Sequence, residues 1–380
     1  MEYTRFGRAV VPLGGLFDDV ESALNAAEAA EADRLMERVQ DLGFVTEDDG
    51  ILNVLINNKR YHITQSALKD LCKLLKVPAG YINKFPGSSL VLENLNGNPY
   101  RIDNSDSVHL VIWNGEERPV IAGVLPGEDA AMPASEFLGI LDDGGVFSRE
   151  GLDLDQIVLT GEEVALYFLR SEETTQEGFT FQLGYSLHYS PTRAVDTVAL
   201  PFCKMSIVAG TGEPFEFDFE AGTRLRVAKR KKDDFVGKTL EIGQSYGGED
   251  MGYFYEEAIK YGTIARNLDS VRFALLKFYK SKAVSTYNYS GMKLDGNQVA
   301  QETIPEYRQF ASANRDQLKE LATYAANNLQ VSFYVPTFFN RIYTMPSNLD
   351  NPHFLLRYRK AIGTMLTKTL DEVGDIVVDV

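Results

Sequence analysis

Cysteine, histidine and tryptophan are scarce in this chain, at two, four and one among 380 residues. Cys72 and Cys203 make neither a disulfide framework nor a metal site by themselves, and they fit a reducing cytoplasm. None of His62, His109, His188 and His353 has a second His or Cys at ligand spacing, which excludes an ordinary zinc centre. The apolar runs are short: "ILNVLI" and "VHLVIW" are strand-sized, far below the ~20 residues that cross a bilayer. "MEYTRFGRAV" shows no basic stretch followed by an apolar one, so no secretory signal and no membrane association are expected. GxxxxGK[ST], a GxGxxG between strand and helix, HExxH and GxSxG are all missing. The glycine loops "GEDMGYF" and "GGVFSREG" lack phosphate-cradle spacing. No cofactor is expected.

What is present is an ordinary globular composition, 44% hydrophobic and 24% charged, with length enough for two or three domains. The charge is lopsided, with 54 Asp and Glu against 38 Lys and Arg, a formal net of -16. Such an acidic body does not bind nucleic acid or anionic membranes through its whole surface. Paired acids recur at Asp142-Asp143, Glu162-Glu163 and Glu172-Glu173, each beside Gly or Thr in an expected turn, where solvated carboxylates are the default. With no nucleophile context either, the reading leans away from an enzyme.

Residues 16–42 read as one Ala- and Glu-rich helix, with Asp18 or Asp19 as N-cap and Gly43 as its stop. Asn57-Asn58 sits between two apolar strands as a turn pair that tolerates positive φ. "TQSALKDLCKLLKVPAGYINKFP" then reads as an amphipathic helix capped by Thr64, with Ala67, Leu68, Leu71, Cys72, Leu74 and Leu75 as its buried stripe. Pro78 ends it and starts a second short helix. From 107 to 230 the pattern is of strands, with Asn114-Gly115 and Gly161 marking hairpins and "PASEFLGILDD" a short helix. Residues 249–283, 303–330 and 352–372 have helical periodicity. The expected fold is α+β: an antiparallel sheet with packed helices, followed by a helical C-terminal part. Its expected segments are an N-terminal helical arm (1–50), a strand-rich domain (51–245) and a helical region (246–380).

One stretch runs against the overall charge. "GTRLRVAKRKKDDF" packs six Lys or Arg into positions 224–232. Over residues 223–282 there are 13 Lys and Arg against 8 Asp and Glu, a local net of +5 that leaves -21 for the rest. As a strand, Arg224 and Arg226 share one face, and Lys229, Arg230, Lys231 and Lys232 project from its end. Downstream, Lys277, Lys280 and Lys282 interleave with aromatics, and Tyr287 and Tyr289 follow. Cations that track a phosphate chain beside aromatic faces are the ingredients of single-strand binding. The alternative is an aromatic core with its solvated side, the cations offset by Asp233 and Asp234.

Two stretches resemble a known family. In "YHITQSALKDLCKLLKVPAGYINKFPGSSLVLENLN", Ala67, Leu68, Leu71, Leu75, Val77, Pro78 and Tyr81 occupy the places of the opening signature of the phage/plasmid-like family of unknown function numbered 932. "LHYSPTRAVDTVALPFCKMSIVAG" resembles the family's later strand pair, with Cys203 at its cysteine, while Lys204 and Met205 stand where the family has Asn-Gly. The resemblance covers about residues 60–230. It implies a replicon-borne protein in the cytoplasm of a bacterial host, expressed with replication or recombination genes, and it carries over no catalytic residue.

Two readings stay open. One is a phage- or plasmid-encoded accessory protein that binds or anneals single-stranded DNA, as a homo-oligomer, through the cations and tyrosines named above. The other is an acidic structural or interaction protein, a virion component or an inhibitor of a host protein, with a host or phage protein as partner and no nucleic-acid binding.

Overall fold

The computed structural model describes residues 14–247 with short internal gaps (226–231 among them), 253–262, 288–289, 292–293 and scattered positions between 352 and 364. The chain is α+β, as its patterning predicts. It opens with strand β1 (Gly14–Phe17) and helix α1 (Val20–Ala30). Asp19 caps α1 by accepting from the Ser22 backbone N–H at 2.7 Å, and that bond holds its carboxyl below the ordinary range. Ala23, Ala27 and Ala30 form the buried stripe.

The expected single helix over 16–42 is corrected. α1 stops at Ala30, and β2 (Leu35–Arg38), a 3-10 turn (Val39–Asp41) and β3 (Gly43–Thr46) follow. β2 pairs antiparallel with β6 (Ser107–Trp113), Leu35 opposite Leu110, so a distant partner overrides the local helix preference. Gly43 opens a strand instead of closing a helix.

β4 (Leu52–Ile56) and β5 (Lys59–Ile63) form the expected hairpin, with Asn57 and Asn58 both at positive φ, 48° and 63°. Thr64 Oγ1 accepts from the Ala67 N–H at 3.2 Å and starts α2 (Gln65–Leu74). Three shorter helices follow, α3 (Ala79–Lys84), α4 (Ser89–Asn96) and α5 (Pro99–Ile102), before β6 and β7 (Val120–Pro126). The strands order as β2-β6-β7-β5-β4-β3. All these pairings are antiparallel except β5 with β7, where His62 faces Val120 and Ile63 faces Ile121 in parallel. The expected stripe of α2 is buried against this sheet with Val54, Ile56 and Val124, Leu74 only in part.

α6 (Ala134–Asp143) leads into a second sheet of β8 (Leu152–Thr160), β9 (Val164–Gln176), β10 (Phe179–Tyr189), β11 (Thr197–Ile207) and β12 (Phe215–Asp218), with β1 on its β8 edge. β13 (Thr223–Leu225) also pairs with β11. α7 (Lys232–Gly247) and α8 (253–262) follow, then a hairpin of β14 (Asn288–Tyr289) and β15 (Met292–Lys293). The described positions from 352 to 364 are helical. The expected helix at 303–330 lies outside the described residues.

The chain divides into two units. One runs through Phe168 and adds Ser186–Ala199 and Thr223–Ile242; the other holds Leu169–Tyr185, Leu200–Gly222 and the chain from Gly243 on. The breaks fall inside β9, β10, β11 and α7 and between β12 and β13. The elements from β1 to β3 belong to the first unit.

In the first unit the Glu31 carboxylate, at the end of α1, accepts from the backbone N–H groups of Ala134 and Ser135 and from the Ser135 hydroxyl. It thereby caps α6, whose own N-cap position is Pro133 and offers no side-chain acceptor. The Tyr189 hydroxyl donates to the Met132 carbonyl at 2.8 Å, its ring stacks on Phe137 at 4.1 Å, and burial pushes its pKa up. In the second unit Phe217, Phe219, Phe254 and Tyr261 form an aromatic cluster. Beside β12, the buried Arg359 guanidinium pairs with the Glu216 carboxylate, which also meets Lys204 Nζ at 3.3 Å.

Candidate functional site

The cation run starts on a strand and ends on a helix. Arg224 lies in β13, opposite Val198 of β11. β13 stops at Leu225, one residue before Arg226. Lys232 opens α7, so this one member of the run lies on a helix and not at a strand end. Asp233 and Asp234 fall in its first turn, and Phe235 and Thr239, one turn apart, are buried. The acids that offset the cations in sequence therefore also start a helix. Tyr289 lies in the β14–β15 hairpin. Arg226, Lys229, Arg230, Lys231, Lys277, Lys280, Lys282 and Tyr287 lie outside the described residues.

A second arrangement has no counterpart in the sequence reading. Ser186 and His188 are two apart on β10 and share one face. Ser186 Oγ lies 3.0 Å from His188 Nε2, and His188 Nδ1 lies 2.7 Å from Glu163 Oε1. Glu163 is set by the turn between β8 and β9, where Thr160 Oγ1 accepts from the Glu163 N–H at 2.8 Å. The Tyr167 ring meets His188 edge-on. With Nδ1–H donating to the carboxylate, Nε2 accepts the serine proton, and a serine–histidine–carboxylate chain results.

The same three groups in that order activate nucleophiles in hydrolases, but here access decides against it. Ser186 is 0% exposed and His188 6%, while the Glu163 side chain is 26% exposed. An acyl group has no route to Oγ, so the chain satisfies a buried imidazole and ties β10 to the β8–β9 turn. Glu163 is thus not the freely solvated turn acid that its Glu162-Glu163 setting predicts. Only the S-x-H spacing inside a strand hints at this arrangement in the sequence. Its carboxylate partner emerges once β9 and β10 are paired.

Both thiols are buried. Burial pushes the Cys72 thiol up to about 11 and the Cys203 thiol well above its ordinary value. The thiolate is the reactive form, so native protein is expected to resist Ellman's reagent near pH 8 and to release two thiols only in denaturant. Rapid reaction of either cysteine in the native state would contradict that placement. Among the described residues no group of three or more His, Cys, Asp or Glu is placed to hold a metal ion, and no helix is long and apolar enough to cross a membrane. Compared with protein-family models, curated proteins and solved structures, the chain matches none.

Proposed function

We propose that this is a nucleic-acid-binding accessory protein of a phage or plasmid that captures single-stranded DNA electrostatically. The observation that carries the reading is charge segregation: residues 223–282 hold 13 Lys and Arg against 8 Asp and Glu in a chain whose total is -16. The phage or plasmid setting rests on the sequence resemblance of residues 60–230 alone, since no family model matches the chain. The run from Arg224 to Lys232 begins in β13 and ends at the first residue of α7. Phosphates neutralised by these side chains release counterions, and the acidic remainder of the chain discourages contact elsewhere.

The test is fluorescence anisotropy with a labelled single strand of about 30 nucleotides at two salt concentrations. If about four phosphates are neutralised, affinity is expected to fall roughly fiftyfold between about 50 and 200 mM salt. Reversing charge at Lys229, Arg230, Lys231 and Lys232 should remove most of that affinity and flatten its salt dependence. No binding at the lower salt, where electrostatic capture is strongest, would overturn the reading and return the protein to the acidic interaction class. A protein partner would then be sought.

A further inference from the structure

We propose that Tyr100, with Lys76 against its ring and the lysines of α2 beside it, is a base-stacking site for single-stranded nucleic acid. The inference rests on the reading above and adds a contact surface that the cation run does not contain. Tyr100 is 51% exposed, high for a large aromatic residue, and Ile102 two residues on is as exposed. Lys76 Nζ lies 4.2 Å from the ring centroid. One face of the ring thus carries a cation, and the exposed remainder is left for a base.

The mount is rigid. Asn98 caps α5 through Oδ1, which accepts the Tyr100 N–H at 2.8 Å, while its Nδ2 donates to the Leu75 carbonyl at 3.2 Å. Leu75 directly precedes Lys76, so a single asparagine fixes the tyrosine relative to the lysine. Arg101 locks the next residue by donating to the carbonyls of Gln40 at 2.9 Å, Leu42 at 2.8 Å and Asn96. Its guanidinium is used inside the fold and is not a ligand group. A ring held by such a base loses little freedom when a second ring stacks on it.

Lys76 itself is unusual. It occupies the position after the C-cap of α2 with φ 51°, the left-handed conformation that favours glycine there. A lysine at this place gives up that backbone ease, and its ammonium lies on Tyr100. Lys69 and Lys73, four residues apart, share one side of α2, and Lys76 follows just past its C-cap. Lys73 has a 77% exposed side chain and pairs with Asp70 at 2.7 Å, a solvated pair that a phosphate can replace. Across residues 59–100 there are six Lys and Arg against two Asp and Glu, a net of +4. A row of ammonium groups ending at a presented aromatic ring matches a phosphate chain with a stacked base. A protein surface, in contrast, has no repeating anion to meet such a row.

The experiment is the same anisotropy titration on wild type, Tyr100→Ala, Tyr100→Phe and the double variant Lys69→Glu/Lys73→Glu, together with photocrosslinking to a strand carrying 5-iodouridine. Tyr100→Ala is expected to weaken binding about tenfold with an unchanged salt slope, because stacking is not ionic. Tyr100→Phe should restore affinity, and the double variant should lower the slope. The crosslinked peptide should contain Tyr100. Wild type that binds while Tyr100→Ala binds equally well, with the crosslink elsewhere, overturns this site and leaves the broader reading standing. Wild type that binds no strand overturns both.

Discussion

Truncating Trp113 to alanine is expected to lower the unfolding free energy by about 3–5 kcal/mol, the largest single-residue loss in the first unit. Trp113 is the only tryptophan and is fully buried. It ends β6, faces Val120 of β7 and bridges to Glu31 at the end of α1, so its side chain lies where strand pair and helix meet. Backbone contacts surround that junction: the Asn114 N–H donates to Ala30 O at 2.8 Å, and the Ala32 N–H to Ile112 O at 3.1 Å. A wall braced in this way cannot collapse into the space an indole leaves, and the residual cavity adds to the lost transfer energy. The indole N–H finds no acceptor among the described residues. Trp113→Phe therefore removes a buried unmatched donor together with some volume, and its loss should stay below about 2 kcal/mol. The alanine variant has no tryptophan to report on, so urea melts are followed by circular dichroism for all three proteins. Equal midpoints for wild type and Trp113→Ala would show that the β6–α1 junction is not the packed core described.

Where chemistry is local, the sequence already contained the answer. Thr64 as a cap, the Asn57-Asn58 turn and the apolar stripe from Ala67 to Leu75 each depend on residues within one or two turns of chain, and each is found as expected. Failures begin where a partner is remote. Nothing between Leu35 and Arg38 announces β6, and without β6 the Ala/Glu-rich composition argues for continued helix. α7 had its signal in Asp233-Asp234, but beside four cations those acids read as charge compensation instead of a helix start. The Ser186–His188–Glu163 chain depends on strand pairing and on burial, neither of which a motif records. Tyr100 was invisible for a third reason: exposure of an aromatic ring is a property of the finished surface, and Pro99-Tyr100-Arg101 looks like any short helical turn.

Replacing Glu216 by alanine is expected to cost about 3–5 kcal/mol, whereas replacing its partner Arg359 by methionine should cost far less. The asymmetry follows from who keeps a counter-charge. The Arg359 side chain is 2% exposed, against 17% for Glu216, and its guanidinium lies 5.3 Å from the Phe202 ring centroid. Loss of the carboxylate removes the ion-pair partner of a guanidinium that is almost wholly buried, and arginine does not shed its proton to escape burial. Lys204, at 3.3 Å from Glu216, loses that ion pair in the same step. Loss of the guanidinium leaves Glu216 still paired with Lys204, and methionine fills the vacated volume beside Phe202 with an adaptable apolar chain. The double variant decides between this account and simple loss of one favourable pair. If the buried unmatched charge dominates, adding Arg359→Met to Glu216→Ala should raise the urea midpoint back towards that of Arg359→Met alone, a strongly non-additive result. If the two losses instead add, Arg359 gains its stability from contacts other than Glu216, and the ion pair is incidental to holding the C-terminal helical residues in the second unit.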